Sequence, residues 1–175
     1  MNEGERRLLD TIRQNAYIAT FADPSKKVLG CEFYCYSIDE TGLAFTGLEA
    51  QTFPIIMDSD SDFIITGITA GVVVSAPVIA DPANGNRVVE YSPGLVLQVL
   101  NESSGKTWFN NPTPLPIICG TGGFPALMIN PRVIKTRSTL SVSVSRAYFD
   151  AGDLNTPDYS AFYFTLIGAK IYYAG

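Results

Sequence analysis

The chain has 175 residues, 12 Lys and Arg against 17 Asp and Glu for a formal charge of −5, and no histidine. Histidine-based catalysis and histidine metal ligation are therefore excluded outright, while 17% charged and 46% hydrophobic residues describe one folded, fairly apolar domain. Counting 15 Ile, 12 Val and 14 Thr gives 41 β-branched residues, which predicts an all-β protein, and the scarcity of Lys and Arg argues against nucleic acid as its main partner.

Taken from the N-terminus, residues 1–10 mix acids with bases and lack a continuous apolar run, so no secretory signal is expected. A helix is predicted over 3–14, because Asn2 can cap it, Glu5 follows three positions later, and Leu8, Leu9 and Ile12 share one face. Residues 1–26 then form an N-terminal helical arm that either lies across the end of the fold or docks on a neighbouring subunit, and residues 27–175 form the β-sandwich domain. Strands are expected near 28–38, 43–48, 51–56, 62–68, 71–80, 87–91, 94–100, 106–109, 115–119, 132–135, 138–147 and 160–173. The apolar run from Gly71 to Ala80 is too short and too β-branched to cross a bilayer as a helix, so no membrane partner is expected. Asn84-Gly85 between apolar runs is a hairpin signal. The alternation of Leu140, Val142 and Val144 with serines predicts one buried and one wet face, whereas Phe162 to Gly168 is apolar on both sides and must be central or covered. Cys31 and Cys35 on one strand would stand about 13 Å apart, beyond disulfide reach, and with Cys119 they read as reduced core residues. Together these features predict a two-sheet antiparallel sandwich of jelly-roll-like topology with a short N-terminal helix.

Several segments imitate chemical motifs and fail at a defined position. Ser103-Ser104-Gly105-Lys106-Thr107 resembles the end of a phosphate-binding loop, but Leu100 occupies the place of the first glycine, and Trp108 to Pro112 does not begin a helix. Asp58-Ser59-Asp60-Ser61-Asp62 opens like a calcium loop, then places Phe63 where a turn glycine belongs and Thr69 where a closing glutamate belongs. Its carboxylates would lie on one side of an extended segment and repel unless a cation sat between them. A solvated acidic loop is the expectation, and replacing Asp58, Asp60 and Asp62 with Asn should then leave stability unchanged or raise it. Gly120 to Pro125 lacks the strand and helix of a dinucleotide fingerprint. The carboxylate pairs Asp39 with Glu40 and Asp150 with Asp153 fall in turns, and no serine elbow is present. No catalytic residue, cofactor or metal is therefore expected.

Charge is segregated along the chain. Residues 39–62 hold Asp39, Glu40, Glu49, Asp58, Asp60 and Asp62 without a base, and residues 131–146 hold Arg132, Lys135, Arg137 and Arg146 without an acid. These segments either neutralise each other within one subunit or dock between copies and onto a charged neighbour.

The order Thr52-Phe53, Asp62-Phe63-Ile64-Ile65, Leu95 to Val99 with the Ser103 to Lys106 turn, Gly120 to Pro125, Pro131 to Ile134, Ser138 to Val142 and Leu166 to Ile171 resembles small β-sandwich virion proteins of tailed bacteriophages. The likeness spans about residues 45 to 171. It implies a non-enzymatic virion component, either a capsid decoration or cement protein or a minor head, vertex, collar or tail protein. Such a component assembles in the bacterial cytoplasm and acts as a homo-oligomer through contacts with other virion proteins. Leu8, Leu9, Ile12, Arg132, Lys135, Arg137, Asp58, Asp60 and Asp62 are the expected contact residues. A lectin-like carbohydrate module, with Tyr34, Tyr36, Trp108 and Phe109 as a stacking platform, is one alternative, and a phage tail or receptor-binding component, which shares the fold and differs in location, is the other.

Overall fold

The structure is a computed structural model, and it describes residues 17–18, 20–41, 49–75, 95–119, 125–146 and 158–174. In chain order these form β1 (Val28–Thr41), β2 (Gln51–Ile56), β3 (Ser61–Ser75), β4 (Leu95–Asn101), β5 (Lys106–Thr107), β6 (Thr113–Pro114), α1 (Leu115–Cys119), β7 (Ala126–Ile134), β8 (Thr139–Arg146) and β9 (Asp158–Tyr173). All pairings are antiparallel. One sheet runs β1-β9-β3-β7 and the other β2-β8-β4-β5, with β6 also on β4.

The pairings are nested in sequence. The first described strand pairs with the last (β1 with β9), then β2 with β8, β3 with β7 and β4 with β5, and successive pairs alternate between the two sheets. Each crossing from one sheet to the other carries the chain over the core, which forces the inner faces together. Leu140, Val142 and Val144 of β8 and Leu95, Leu97 and Val99 of β4 are fully buried against Phe162, Phe164 and Leu166 of β9 and Phe63 and Ile65 of β3. The alternation read at 140–145 thus places its apolar side chains in the core, and the two-sided apolar strand is the inner strand β9, flanked by β1 and β3. At Gly168 the backbones of β9 and β3 come so close that a Cβ would run into the Ile64 carbonyl oxygen, so only glycine fits.

Several expectations are corrected. The stretch 62–68 and the described part of 71–80 belong to one continuous strand, Ser61–Ser75, that runs across Gly67 and Gly71, and residues 76–80 lie outside the described residues. The segment 115–119 is a short helix, not a strand. Pro116 lies in its first turn, where no backbone N–H is needed, and Leu115 and Ile118 reach the core while Ile117 is exposed. The strand expected at 132–135 begins at Ala126, because Pro131 is tolerated on an edge strand whose missing N–H leaves no ladder bond broken. Cys31 and Cys35 lie at odd positions of β1, opposite Ile171 and Ile167, on the side away from the core, with Cys31 half-buried and Cys35 exposed. The strands at 43–48 and 87–91, the Asn84-Gly85 hairpin, and the helix over 3–14 with Leu8, Leu9 and Ile12 lie outside the described residues, so the arm and domain boundary at 26/27 is carried as an expectation. Tyr17 and Ile18 are helical and lead into a turn closed by Thr20 N–H on the Tyr17 carbonyl at 3.1 Å.

Candidate functional site

The crossing from β2 to β3 carries the acidic loop, and the structure brings it against two lysines of the same chain. Asp62 is 0% exposed. It accepts from Lys135 Nζ at 2.9 Å, from the Thr136 backbone N–H at 3.0 Å and from the Tyr173 hydroxyl at 3.1 Å. Asp58 is ion-paired with Lys170 of β9, its backbone N–H donates to the Tyr36 hydroxyl at 3.2 Å, and its carbonyl accepts from Arg137 N–H at 3.1 Å. Asp60 is exposed and accepts from the Ser61 hydroxyl at 3.1 Å. The side chains of Asp58 and Asp62 are thus neutralised by separate cations, and the loop is not simply solvated. Substituting Asn would remove partners instead of relieving repulsion, which reverses the stability expectation for that loop.

Lys170 is 7% exposed and sits over the Tyr34 ring at 3.5 Å and the Tyr36 ring at 5.7 Å. Burial pushes its ammonium pKa down, but the Asp58 carboxylate and the two tyrosines more than offset this and raise it above the ordinary 10.5. Asp58 is correspondingly held below the usual carboxylate range, chiefly by its hydrogen bond from Lys170. Lys135 is raised by its bond to Asp62, and it also approaches Asp23 at 3.8 Å. Arg137 occupies a left-handed backbone position, φ 58°, in a turn closed by Ser138 N–H on the Lys135 carbonyl at 3.2 Å. Of the expected contact residues, Asp58, Asp62, Lys135 and Arg137 are therefore gathered in one intramolecular cluster.

Arg132 stands elsewhere. It pairs across the ladder with Ile65 and places its guanidinium 5.2 Å from the Trp108 ring centre. Trp108 and Arg132 together divide a cleft at the sandwich edge, between β7 on one sheet and β5, β6 and α1 on the other. An apolar compartment of about 270 Å³ is lined by Ile68, Phe109, Ile118 and Met128, and a second, mixed one of about 240 Å³ by Asn101, Ser104, Lys106, Val133 and Ile134. Among the described residues no acid lines either compartment. Around the apolar mouth Ile117 is 75% and Leu127 78% exposed, with Ile129 94% exposed beyond. Residue 129 projects because Arg132 opposes Ile65 and Leu127 opposes Gly67, so four β7 residues occupy the space of one on β3. The sequence reading missed this cleft, since Pro131 concealed the first half of β7. The spacing of Leu127 and Ile129 two positions apart, bounded by proline, was the available signal.

The four aromatic residues of the carbohydrate alternative do not share a surface. Tyr34 and Tyr36 belong to β1, at one edge of their sheet, while Trp108 is 8% exposed and lies under Arg132 of β7, at the opposite edge. Both β1 thiols are raised in pKa by partial desolvation, which leaves them weak nucleophiles. Among the described residues no three His, Cys, Asp or Glu side chains are grouped to hold a metal ion, and no helix is long and apolar enough to cross a membrane. Compared with models of known protein families and with curated proteins, the sequence matches none.

Proposed function

We propose that this chain is a non-enzymatic assembly protein, a structural component of a tailed-bacteriophage virion that acts through contacts with other virion proteins. The observation that carries the reading is the set of large apolar side chains uncovered around the edge cleft: Ile117, Leu127 and Ile129. A monomer gains nothing from exposing three such groups together, whereas a partner that covers them gains buried apolar area. The nested pairing supports a jelly roll in particular, because a long hairpin wrapped into two sheets produces β1·β9, β2·β8, β3·β7 and β4·β5 in alternation. Jelly rolls build viral capsids as well as lectins, so the topology argues by analogy and the exposed apolar rim argues from the site.

The test is co-sedimentation of the purified protein with virion particles, for the wild type and for Leu127→Asp with Ile129→Asp. Both residues are solvent-exposed, so the variant should melt as the wild type does and lose particle association. Unchanged association of the variant would remove the cleft rim from the interface. A wild type that stays unassociated, and instead binds glycans saturably, would replace the assembly reading with the carbohydrate one.

A further inference from the structure

The two edges of the four-stranded sheet differ in a way that selects a partner. On the β7 edge, Pro131 and the looped-out residues 128–131 interrupt the backbone that an added strand would need. The second sheet ends on β2, six residues long with Pro54 inside it, and on the two-residue β5. β1 is different. It runs for 14 residues, pairs with β9 from Val28 to Thr41 with one register shift at its start, and contains no proline, lysine or arginine. Among the described residues its other side has no strand beside it. Proline and lysine, two usual protections of an exposed edge, are thus missing along the longest sheet edge among the described residues.

What β1 does carry is acid. Glu32, Asp39 and Glu40 are all exposed and β1 itself holds no base, although Lys170 of β9 stands opposite Glu32 in the ladder and the Tyr172 hydroxyl donates to Glu32 at 2.9 Å. Antiparallel pairing of β1 with a second copy about Tyr36 would set Glu32 against Glu40, and in no register does an acid of one β1 meet a base of the other. The same acids complement an incoming strand that is basic. Between them, Phe33 is 73% exposed on one side of the sheet and Tyr34 36% exposed on the other, which offers apolar contact to side chains alternating across an added strand.

We infer that β1 is a strand-addition site for an extended, basic segment of a partner protein, which pairs with the β1 backbone, packs apolar side chains beside Phe33 and Tyr34, and sets Lys or Arg against Glu32, Asp39 and Glu40. The inference rests on the assembly reading above and gives the partner its chemistry. Main-chain hydrogen bonds supply affinity in this mode, and the acids supply specificity against self-pairing.

The probe is a short capped peptide alternating Lys and Val, compared with its Glu and Val counterpart, titrated against the full chain by fluorescence anisotropy and followed by amide hydrogen exchange. Binding of the lysine peptide, weakened by salt and accompanied by slowed exchange within 28–41, is expected. Asp39→Lys with Glu40→Lys should weaken it about tenfold at low salt, and the same variant should gain affinity for the glutamate peptide, which a misfolded protein would not do. Equal binding of both peptides, protection mapped to β7, or dimerisation through β1 without peptide would each overturn the inference. Particle association is measured separately. Its loss alone overturns the assembly reading, and failure of the peptide alone overturns the strand-addition site.

Discussion

The outward faces of the two sheets are built on opposite principles. On the sheet of β2, β8 and β4 the outward positions are hydroxyl-rich: Thr52 and Ser143 bond across the strands at 2.8 Å, and Ser141 bonds to Glu102. On the sheet of β1, β9, β3 and β7 the outward row places Ile64 between Ala169 and Val133, with Ile171 opposite Asp62. Ile64 and Ile171 are 0% exposed although neither belongs to the central core. The first face is finished with hydroxyls, whereas the second continues the apolar interior outward around Ile64 and Ile171 and turns polar farther along, where the Ser37 and Thr165 hydroxyls bond at 2.9 Å. The segment 20–27 is tied to this second face, where Asp23 N–H donates to the Tyr173 hydroxyl at 3.1 Å and Lys26 lies 5.0 Å from that ring. Asp62 is buried on the apolar face, which is why it needs Lys135, Thr136 and Tyr173 at once, whereas Ser143 and Ser141 on the other sheet are each met by one side chain, Thr52 and Glu102.

The comparison breaks most directly by charging each face. Val142→Asp puts a carboxylate into the core without a partner and should cost about 4 kcal/mol. Ile64→Asp should cost nearly as much if the outer apolar face is as dry as its exposure indicates, while Ser143→Asp should stay within about 1 kcal/mol. Urea denaturation of the three variants measures the contrast, and an Ile64 variant as mild as the Ser143 one would erase the distinction between the faces. Gly168→Ala tests the backbone beneath that face. Because the added methyl meets the Ile64 carbonyl and not a flexible side chain, the strands must separate, with an expected loss of about 3 kcal/mol.

Asp62→Asn sharpens the electrostatic half of the comparison, since it keeps the shape and removes the charge that Lys135 answers. A loss of about 2 kcal/mol is expected, with Asp60→Asn near zero as the exposed control. The pH profile follows from the shifted groups. Lys135 and Lys170 are raised above 10.5, so their contribution is complete below the unfolded-state lysine value and disappears as pH rises through the higher folded-state values. Asp58 is lowered below 3.8, so its contribution is complete above the unfolded-state value and disappears as pH falls through the depressed folded-state one. With no histidine side chain to titrate between them, and with the Cys31 and Cys35 thiols raised by desolvation, the melting temperature should be flat from about pH 5 to pH 8 and fall on both sides. A transition near neutrality would contradict this assignment.

The hydroxyl face was legible in the sequence and the apolar face only half so. Strict alternation at 140–145 has a single solution, because shifting register by one residue would bury every serine. Phe162 to Gly168 announced a strand covered on both sides, but the same composition fits many neighbours, and strand order depends on pairings far apart in sequence. The acidic loop shows the limit more sharply. Asp58 and Asp62 were visible, and so was the segregated basic segment, yet only the fold reveals that Lys135 faces Asp62 and that Lys170, embedded in an apolar run, turns inward to Asp58. The edge cleft was hidden for a local reason: Pro131 reads as a strand terminator unless the strand is already known to be an edge.

The smallest effect separates folding from assembly within the cluster. Arg137 holds φ 58°, a conformation that strains a side chain with a Cβ and suits glycine. Relief of that strain is partly cancelled by the greater freedom glycine has in the unfolded chain, so Arg137→Gly should raise stability by about 0.5 kcal/mol. The backbone N–H to the Asp58 carbonyl survives the change, and the arginine side chain is exposed, so the β2 to β3 crossing should keep its structure. A fold that would be slightly better with glycine has no folding reason to carry arginine there. If the guanidinium serves as a contact for an acidic neighbour, the glycine variant should melt higher by a degree or two and associate more weakly with particles at low salt, the two readouts moving in opposite directions. A variant that melts higher and still associates normally would remove Arg137 from the interface and leave the apolar cleft rim to carry it.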